Sequence, residues 1–162
     1  METYEKITSE IRRFLGKLSI EPDSIEVKEH KLHPIFSVRT TNDSTLLIGN
    51  RGETLNALNN LIKKMLEKDP ETHEVKFLID VNGYQERKLA DLERQAREFA
   101  ERARMFKREI EMEPMNAYER MVVHACFADD PSIETISVGN GKFRRVTIKY
   151  SEKEKEEADK AL

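Results

Sequence analysis

The sequence predicts an α+β protein built from two small domains. Three observations carry this expectation. Apolar residues recur at helical spacing in some segments and alternate in others. The strand-like segments form two separate sets, each with its own helices. A long charged helix lies between the two sets. The 162 residues allow one or two domains. A hydrophobic content of 38% is enough for compact cores, and a charged content of 36% implies very wet surfaces.

The elements follow in order. Ile7, Ile11, Phe14, Leu15 and Leu18 share one stripe, which predicts a helix over 4–18. Pro22 breaks the chain after it. Residues 24–29 and 35–40 read as two strands separated by a turn over 30–34. A short helix over 45–48 runs into a glycine loop at 49–52. A second helix then covers 53–66, with Leu55, Leu58, Leu61, Ile62, Met65 and Leu66 inward, and Asp69-Pro70 stops it. Val75, Phe77, Ile79 and Val81 alternate with Lys76, Leu78 and Asp80, which predicts a third strand.

Residues 84–107 form the long helix. Leu89, Leu92, Ala96, Phe99, Ala103 and Phe106 make its apolar stripe. Sustained coiled coils want more repeats, so this stripe is expected to pack on the second domain. A strand at 109–112 follows. Pro114 suits the first turn of the next helix, where a missing N–H is harmless. That helix should run to about Phe127 with Tyr118, Met121, Val122 and Ala125 inward. Residues 133–138 and 143–150 read as two strands joined at Gly139-Asn140-Gly141, residues that tolerate positive φ. Residues 151–162 read as a frayed charged tail.

Composition excludes several classes. No run of about 18 apolar residues exists to span a membrane. The acidic N-terminus lacks the apolar core of a secretory signal. Cys126 is the only cysteine, so neither an internal disulfide nor a thiolate-rich zinc site can form. A reducing, cytoplasmic setting is expected, with no cofactor and no metal. The net charge of −3 disguises a local excess of base. Gly139 to Tyr150 holds Lys142, Arg144, Arg145 and Lys149 and no acid, whereas the tail from Ser151 holds five acids against three lysines.

Two constellations carry chemistry. The first is Gly49-Asn50-Arg51-Gly52. Glycines at this spacing let the backbone turn sharply and approach a ligand closely. The helix behind them aims its free N–H groups at the same place. Together they suit a phosphate backbone, although Gly-x-x-Gly alone is usually a simple turn. The second is Asn116, Arg120 and His124, each one helical turn from the next. An arginine fork binds phosphate oxygens in bidentate fashion, and an imidazole adds a donor whose charge depends on pH. The bland alternative is a solvated face, with Arg120 paired to Asn116 or Glu119. Arg144, Arg145 and Lys149 are either a charged sheet edge that resists aggregation or a nucleic-acid face. Arg94, Arg97, Arg102 and Arg104 alternate with glutamates and read as a solvated face. Tyr118, Met121 and Cys126 read as core, and His30, His33 and His73 lack partners at metal spacing. A nuclease with His124 as general base lacks an acidic metal cluster or an activated nucleophile.

The order helix, strand, strand, helix, Gly-x-x-Gly, helix, strand resembles a type II KH domain (αββααβ), whose loop clamps nucleic-acid backbone. Glu113 to His124 resembles the signature of an R-3-H domain, named for an arginine and a histidine with three residues between. The later Thr135-Ile136-Ser137-Val138-Gly139 and Arg144-Arg145-Val146 resemble that domain's closing strands. A type II KH domain followed directly by this module resembles the Jag family of bacterial RNA-binding proteins. The resemblance implies a KH domain at 1–82, an R-3-H domain of about three strands with packing helices at 83–150, and a tail at 151–162. It implies a non-catalytic binder of single-stranded RNA acting in post-transcriptional regulation. The alternative is an interaction module that pairs with a small KH-only protein or with itself, RNA contact being secondary. Two departures are visible. Jag proteins commonly carry a further N-terminal domain, which this sequence lacks ahead of its first helix. The loop has one basic residue, Arg51, where the family usually has two, so its electrostatic grip should be weaker.

Overall fold

The computed structural model describes residues 1–152 and divides the chain between Glu86 and Arg87. The sequence-based boundary, after residue 82, lies slightly earlier. The expected tail falls outside the described residues beyond Glu152.

The first unit runs α1 (Glu2–Lys17), β1 (Ser24–Lys28), β2 (Ile35–Arg39), α2 (Ser44–Ile48), α3 (Glu53–Leu66) and β3 (Leu78–Val81). This is the order expected from the sequence. β1 pairs antiparallel with β2, and β2 pairs parallel with β3, the crossover being α2 and α3. Ile7, Ile11 and Leu15 put one stripe of α1 fully into the core. Burying each is worth roughly 1.5–3 kcal/mol. Phe36 is central, with its ring edge-on to Phe77 at 5.4 Å and to Tyr4 at 5.9 Å. Such pairs add about 0.5–1.5 kcal/mol beyond area burial.

Three expectations for this unit are corrected. Leu61 is 48% exposed, because the inward stripe of α3 is Leu55, Leu58, Asn59, Ile62 and Leu66. Asn59 can be buried because its carboxamide is fully used: Oδ1 accepts from Ile79 N–H at 2.8 Å, and Nδ2 donates to Ile79 O at 2.9 Å and Leu55 O at 3.1 Å. β3 begins at Leu78, since turns fill the stretch before it and Thr72 Oγ1 donates to Leu66 O at the end of α3. All four β3 residues are buried, so the strand has two covered faces and no true alternation. Asp80 on its second face accepts from Gln85 N–H at 2.8 Å, fixing the entry to the next helix.

That helix is α4 (Tyr84–Phe106), and the chain divides within its first turn. The second unit continues with β4 (Ile110–Glu111), α5 (Ala117–Cys126), β5 (Ile133–Val138) and β6 (Arg145–Tyr150). The sheet is antiparallel, in the order β4-β6-β5. Ala96, Ala100 and Ala103 of α4 are buried against Val123, Phe127, Val146 and Ile148. The stripe of α4 thus packs on this unit as expected. Its expected last member, Phe106, is instead 63% exposed, because the helix ends there and Lys107 turns left-handed (φ 50).

α5 also departs from expectation. It starts at Ala117, so Pro114 lies outside it. The start is set by a capping box: Asn116 Oδ1 accepts from Glu119 N–H, and Glu119 Oε2 accepts from Asn116 N–H, both at 2.9 Å. The buried face is Glu119, Val122 and Val123, whereas Met121 and Ala125 are exposed. A stripe read from apolar residues alone passed over Glu119, whose carboxylate reaches Lys88 Nζ at 2.7 Å. The β5–β6 connection spans 139–144 and contains a short 3-10 turn at Gly141–Phe143, which delays β6 to Arg145. Arg104 is not simply solvated: it donates to Asp130, and to Ser132 Oγ at 3.0 Å.

Candidate nucleic-acid interface

The first constellation lies between α2 and α3. α2 ends at Gly49 (φ 71, ψ −172), and Gly52 (φ 80) is the cap of α3. A Cβ on Gly49 would lie 2.1 Å from Thr54 Oγ1, and one on Gly52 would lie 2.8 Å from Tyr84 Cε1. Both positions therefore need glycine for space as well as for conformation. Between them Asn50 and Arg51 are exposed. Arg51 is itself left-handed (φ 52, ψ 27). Such a conformation costs a non-glycine residue roughly 1–2 kcal/mol. The turn thus lifts an amide and a guanidinium into solvent ahead of the N–H groups of α3. Glu53 occupies the first turn of α3 and sets a carboxylate beside those groups. It weakens the positive field that the sequence pattern suggested.

The second constellation is on α5. Arg120 Nη1 donates to Met115 O at 2.9 Å, not to Asn116 or Glu119. Met115 N–H in turn donates to Arg144 O at 3.1 Å. His124 lies one turn further along, between two hydroxyls of β5. Its Nδ1 is 2.6 Å from Thr135 Oγ1 and its Nε2 is 2.9 Å from Ser137 Oγ. Burial, aided by the Arg120 charge, holds His124 below its usual pKa. At neutral pH the ring is therefore uncharged, with one nitrogen donating and one accepting. One hydroxyl then donates to the ring, and the other accepts from it. Asn116 commits its Oδ1 to the helix cap. A role in ligand contact would fall to its Nδ2.

The basic residues of β6 do not join this cluster. Side chains alternate across a strand. Thr135 and Ser137 are in register with Ile148 and Val146, on the face that meets α5. Arg145 and Lys149 point to the other face. There Arg145 Nε reaches Glu111 Oε2 at 2.7 Å, and the pairing holds the Glu111 carboxyl below its usual range. Lys149 stands opposite Glu134. The segment 139–150 has no acid of its own, but neighbouring strands supply two. The structure thus brings together Arg120 and His124, ties Arg144 to them through Met115, and sets Arg145 and Lys149 apart. Sequence reasoning missed Thr135, Ser137 and the main chain of Met115. The first two were legible as polar residues at alternate positions of β5. The Met115 link leaves no mark in residue type.

A groove beside α4 lined by Lys88, Asp91, Arg94, Glu98, Glu113 and Glu119 has more carboxylates than cations, the wrong balance for phosphate. Among the described residues no group of His, Cys, Asp or Glu is placed to hold a metal ion, and no helix is long and apolar enough to cross a membrane.

A three-stranded sheet packed against α4 and α5, with an arginine and a histidine one turn apart on α5, defines the second unit as an R-3-H domain: residues 87–150 match that family. Comparison with curated proteins places the chain further. It is 36% identical over 106 residues to an RNA-binding protein KhpB of Clostridium symbiosum, covering 65% of this chain and 47% of that protein. It is 32% identical over 108 residues to an RNA-binding protein KhpB of Lactiplantibacillus plantarum, covering 67% and 33%. With an RNA-binding protein KhpB of Bacillus subtilis it shares 31% identity over 128 residues, covering 78% and 61%. The chain is a relative of the KhpB proteins that contains an R-3-H domain, in line with the Jag-like pattern of its motifs. The matches span between a third and three fifths of those proteins' lengths.

Proposed function

We propose that this chain is a non-catalytic binder of single-stranded RNA that works in RNA regulation in a bacterial cytoplasm. The first unit acts as a type II KH domain and grips the phosphate backbone through Gly49, Asn50, Arg51 and Gly52. The R-3-H domain holds further phosphate through Arg120, with His124 fixing the hydroxyls of Thr135 and Ser137 beside it. Arg144, Arg145 and Lys149 add charge from the loop and the far sheet face. The observation that carries the reading is the Gly49–Gly52 turn, where an exposed arginine is kept in a costly left-handed conformation that no internal contact requires. Strain held at an exposed turn points to function. The names of the relatives agree with RNA as the ligand. Two modest sites on one chain raise each other's effective concentration, so useful affinity does not need strong individual contacts.

The test is titration of a fluorescently labelled single-stranded RNA across a salt series. Affinity should fall steeply with salt. Asn50→Asp combined with Arg51→Asp should remove most of it without changing the melting temperature by more than a few degrees. An unchanged titration would take the first unit out of the interface. The competing reading, pairing through the first unit with a second KH-like chain, has β1 in its favour, an edge strand with Val27 exposed. An apolar interface of that kind would show little dependence on salt.

A further inference from the structure

One exposed aromatic side chain is left without a part in either constellation. Phe143 sits in the β5–β6 connection and is 62% exposed, although a hairpin loop has no need of an apolar ring in water. The backbone holds it there by specific means. Gly139 is left-handed (φ 85), and a Cβ on it would lie 2.8 Å from Phe143 O. Phe143 N–H donates to Asn140 O at 3.1 Å, and Arg144 N–H donates to Gly141 O at 3.2 Å. The loop is therefore a built turn with the ring at its tip. Lys142 Nζ lies 5.2 Å from the centre of that ring. Arg144, on its other side in the chain, is exposed, and among the described residues no ion pair engages Lys142 or Arg144. The carbonyl of Arg144 is tied through Met115 to Arg120, which places the loop and the arginine of α5 in one hydrogen-bonded frame.

An exposed ring flanked by two unpaired cations suits one ligand chemistry above others: a flat, unpaired base carried on a phosphate chain. Bases stack on aromatic rings with little regard to sequence, and the cations neutralise the phosphates on either side. We propose that the β5–β6 loop is a nucleobase platform, on which Phe143 stacks against an unpaired base while Lys142 and Arg144 hold the flanking phosphates. The proposal rests on the RNA reading above. It adds a contact to the base itself, where that reading supplies contacts only to the backbone.

The chain contains no tryptophan, so Phe143→Trp installs a single fluorescent reporter at the proposed platform. Three proteins are compared: the unaltered chain, Phe143→Ala and Phe143→Trp. Each is titrated at low salt with a single-stranded RNA and with an abasic strand of the same length. Phe143→Ala should weaken binding of the base-bearing strand by roughly 5- to 150-fold, the range of one stacked base. It should leave the abasic strand unaffected. Phe143→Trp should keep the affinity, and its emission should be quenched by the base-bearing strand alone. Equal losses on both strands would mean that Phe143 shapes the basic loop and does not stack, which overturns the proposal. No loss on either strand, with no quenching, would remove the loop from the interface while leaving the RNA reading intact. Failure of the unaltered chain to bind either strand would overturn the RNA reading and this proposal together. Melting curves for both variants verify that the folded protein is being compared.

Discussion

Arg51→Gly should make the protein more stable and a poorer RNA binder at once. Arg51 is left-handed at φ 52, which costs a side-chain-bearing residue roughly 1–2 kcal/mol. Glycine removes that cost and returns roughly 0.5–1 kcal/mol of it through its greater freedom in the unfolded chain. The side chain is exposed and, among the described residues, makes no hydrogen bond or ion pair, so no native contact is lost. The net gain is up to about 1 kcal/mol, which for a unit of this size raises the melting temperature by up to about 4–8 °C. If the guanidinium meets one phosphate, the slope of log affinity against log salt should fall by about 0.7. Thermal melting and a salt-series titration on the same preparation give both numbers. A salt slope equal to that of the unaltered protein would refute the phosphate contact. A lower melting temperature would refute the strain argument on which the functional reading of the loop rests.

Three further outcomes follow from the geometry. Glu53→Gln removes a carboxylate from the first turn of α3, so RNA affinity should rise, by severalfold at low salt and less at high salt; equal affinity at low salt would place the phosphate away from this helix end. Asn116→Ala removes the side-chain half of the capping box and should cost about 1 kcal/mol, read as a drop in melting temperature; a loss of affinity with melting unchanged would instead make Asn116 a ligand contact. His124 is held below its ordinary pKa of 6.5 in the folded chain, so the unfolded chain takes up the proton first, and stability should be full above about pH 6.5 and decline as pH falls from there toward the lower folded value. His33, lowered in the same direction by burial, contributes with the same sign, so the decline should be reduced but not abolished in His124→Gln. A melting temperature flat from pH 7 down to pH 5 would contradict the buried, uncharged imidazole.

Helix and strand identities were readable because the apolar periods are strong where a segment has one covered face. α1 and α3 show this. Legibility failed where burial did not follow hydrophobicity. Asn59 and Glu119 are buried because hydrogen bonds and an ion pair satisfy them, and Asp80 is buried on a strand whose two faces are both covered. The glycine loop was readable because Gly49 and Gly52 each answer a steric demand visible as a letter. That Arg51 shares the left-handed region was not, since arginine carries no such signature. The basic run 142–149 looked like one patch in sequence. Strand alternation splits it, and its acidic partners Glu111 and Glu134 come from strands far along the chain. His124 was readable as a site residue, but its hydroxyl partners depend on the packing of α5 against β5.

The double use of Met115 sets an unusual rule for tolerance in this region. Its carbonyl receives Arg120 and its N–H serves Arg144, so the joint between helix and loop is made of main chain on the Met115 side. Almost any side chain at position 115 preserves that joint. Proline does not, because it lacks the N–H. A single-residue insertion between positions 115 and 120 would break it as surely, by carrying the guanidinium round the helix and out of reach. What this region must keep is its spacing, and a survey of substitutions would find it permissive where a survey of insertions would find it rigid.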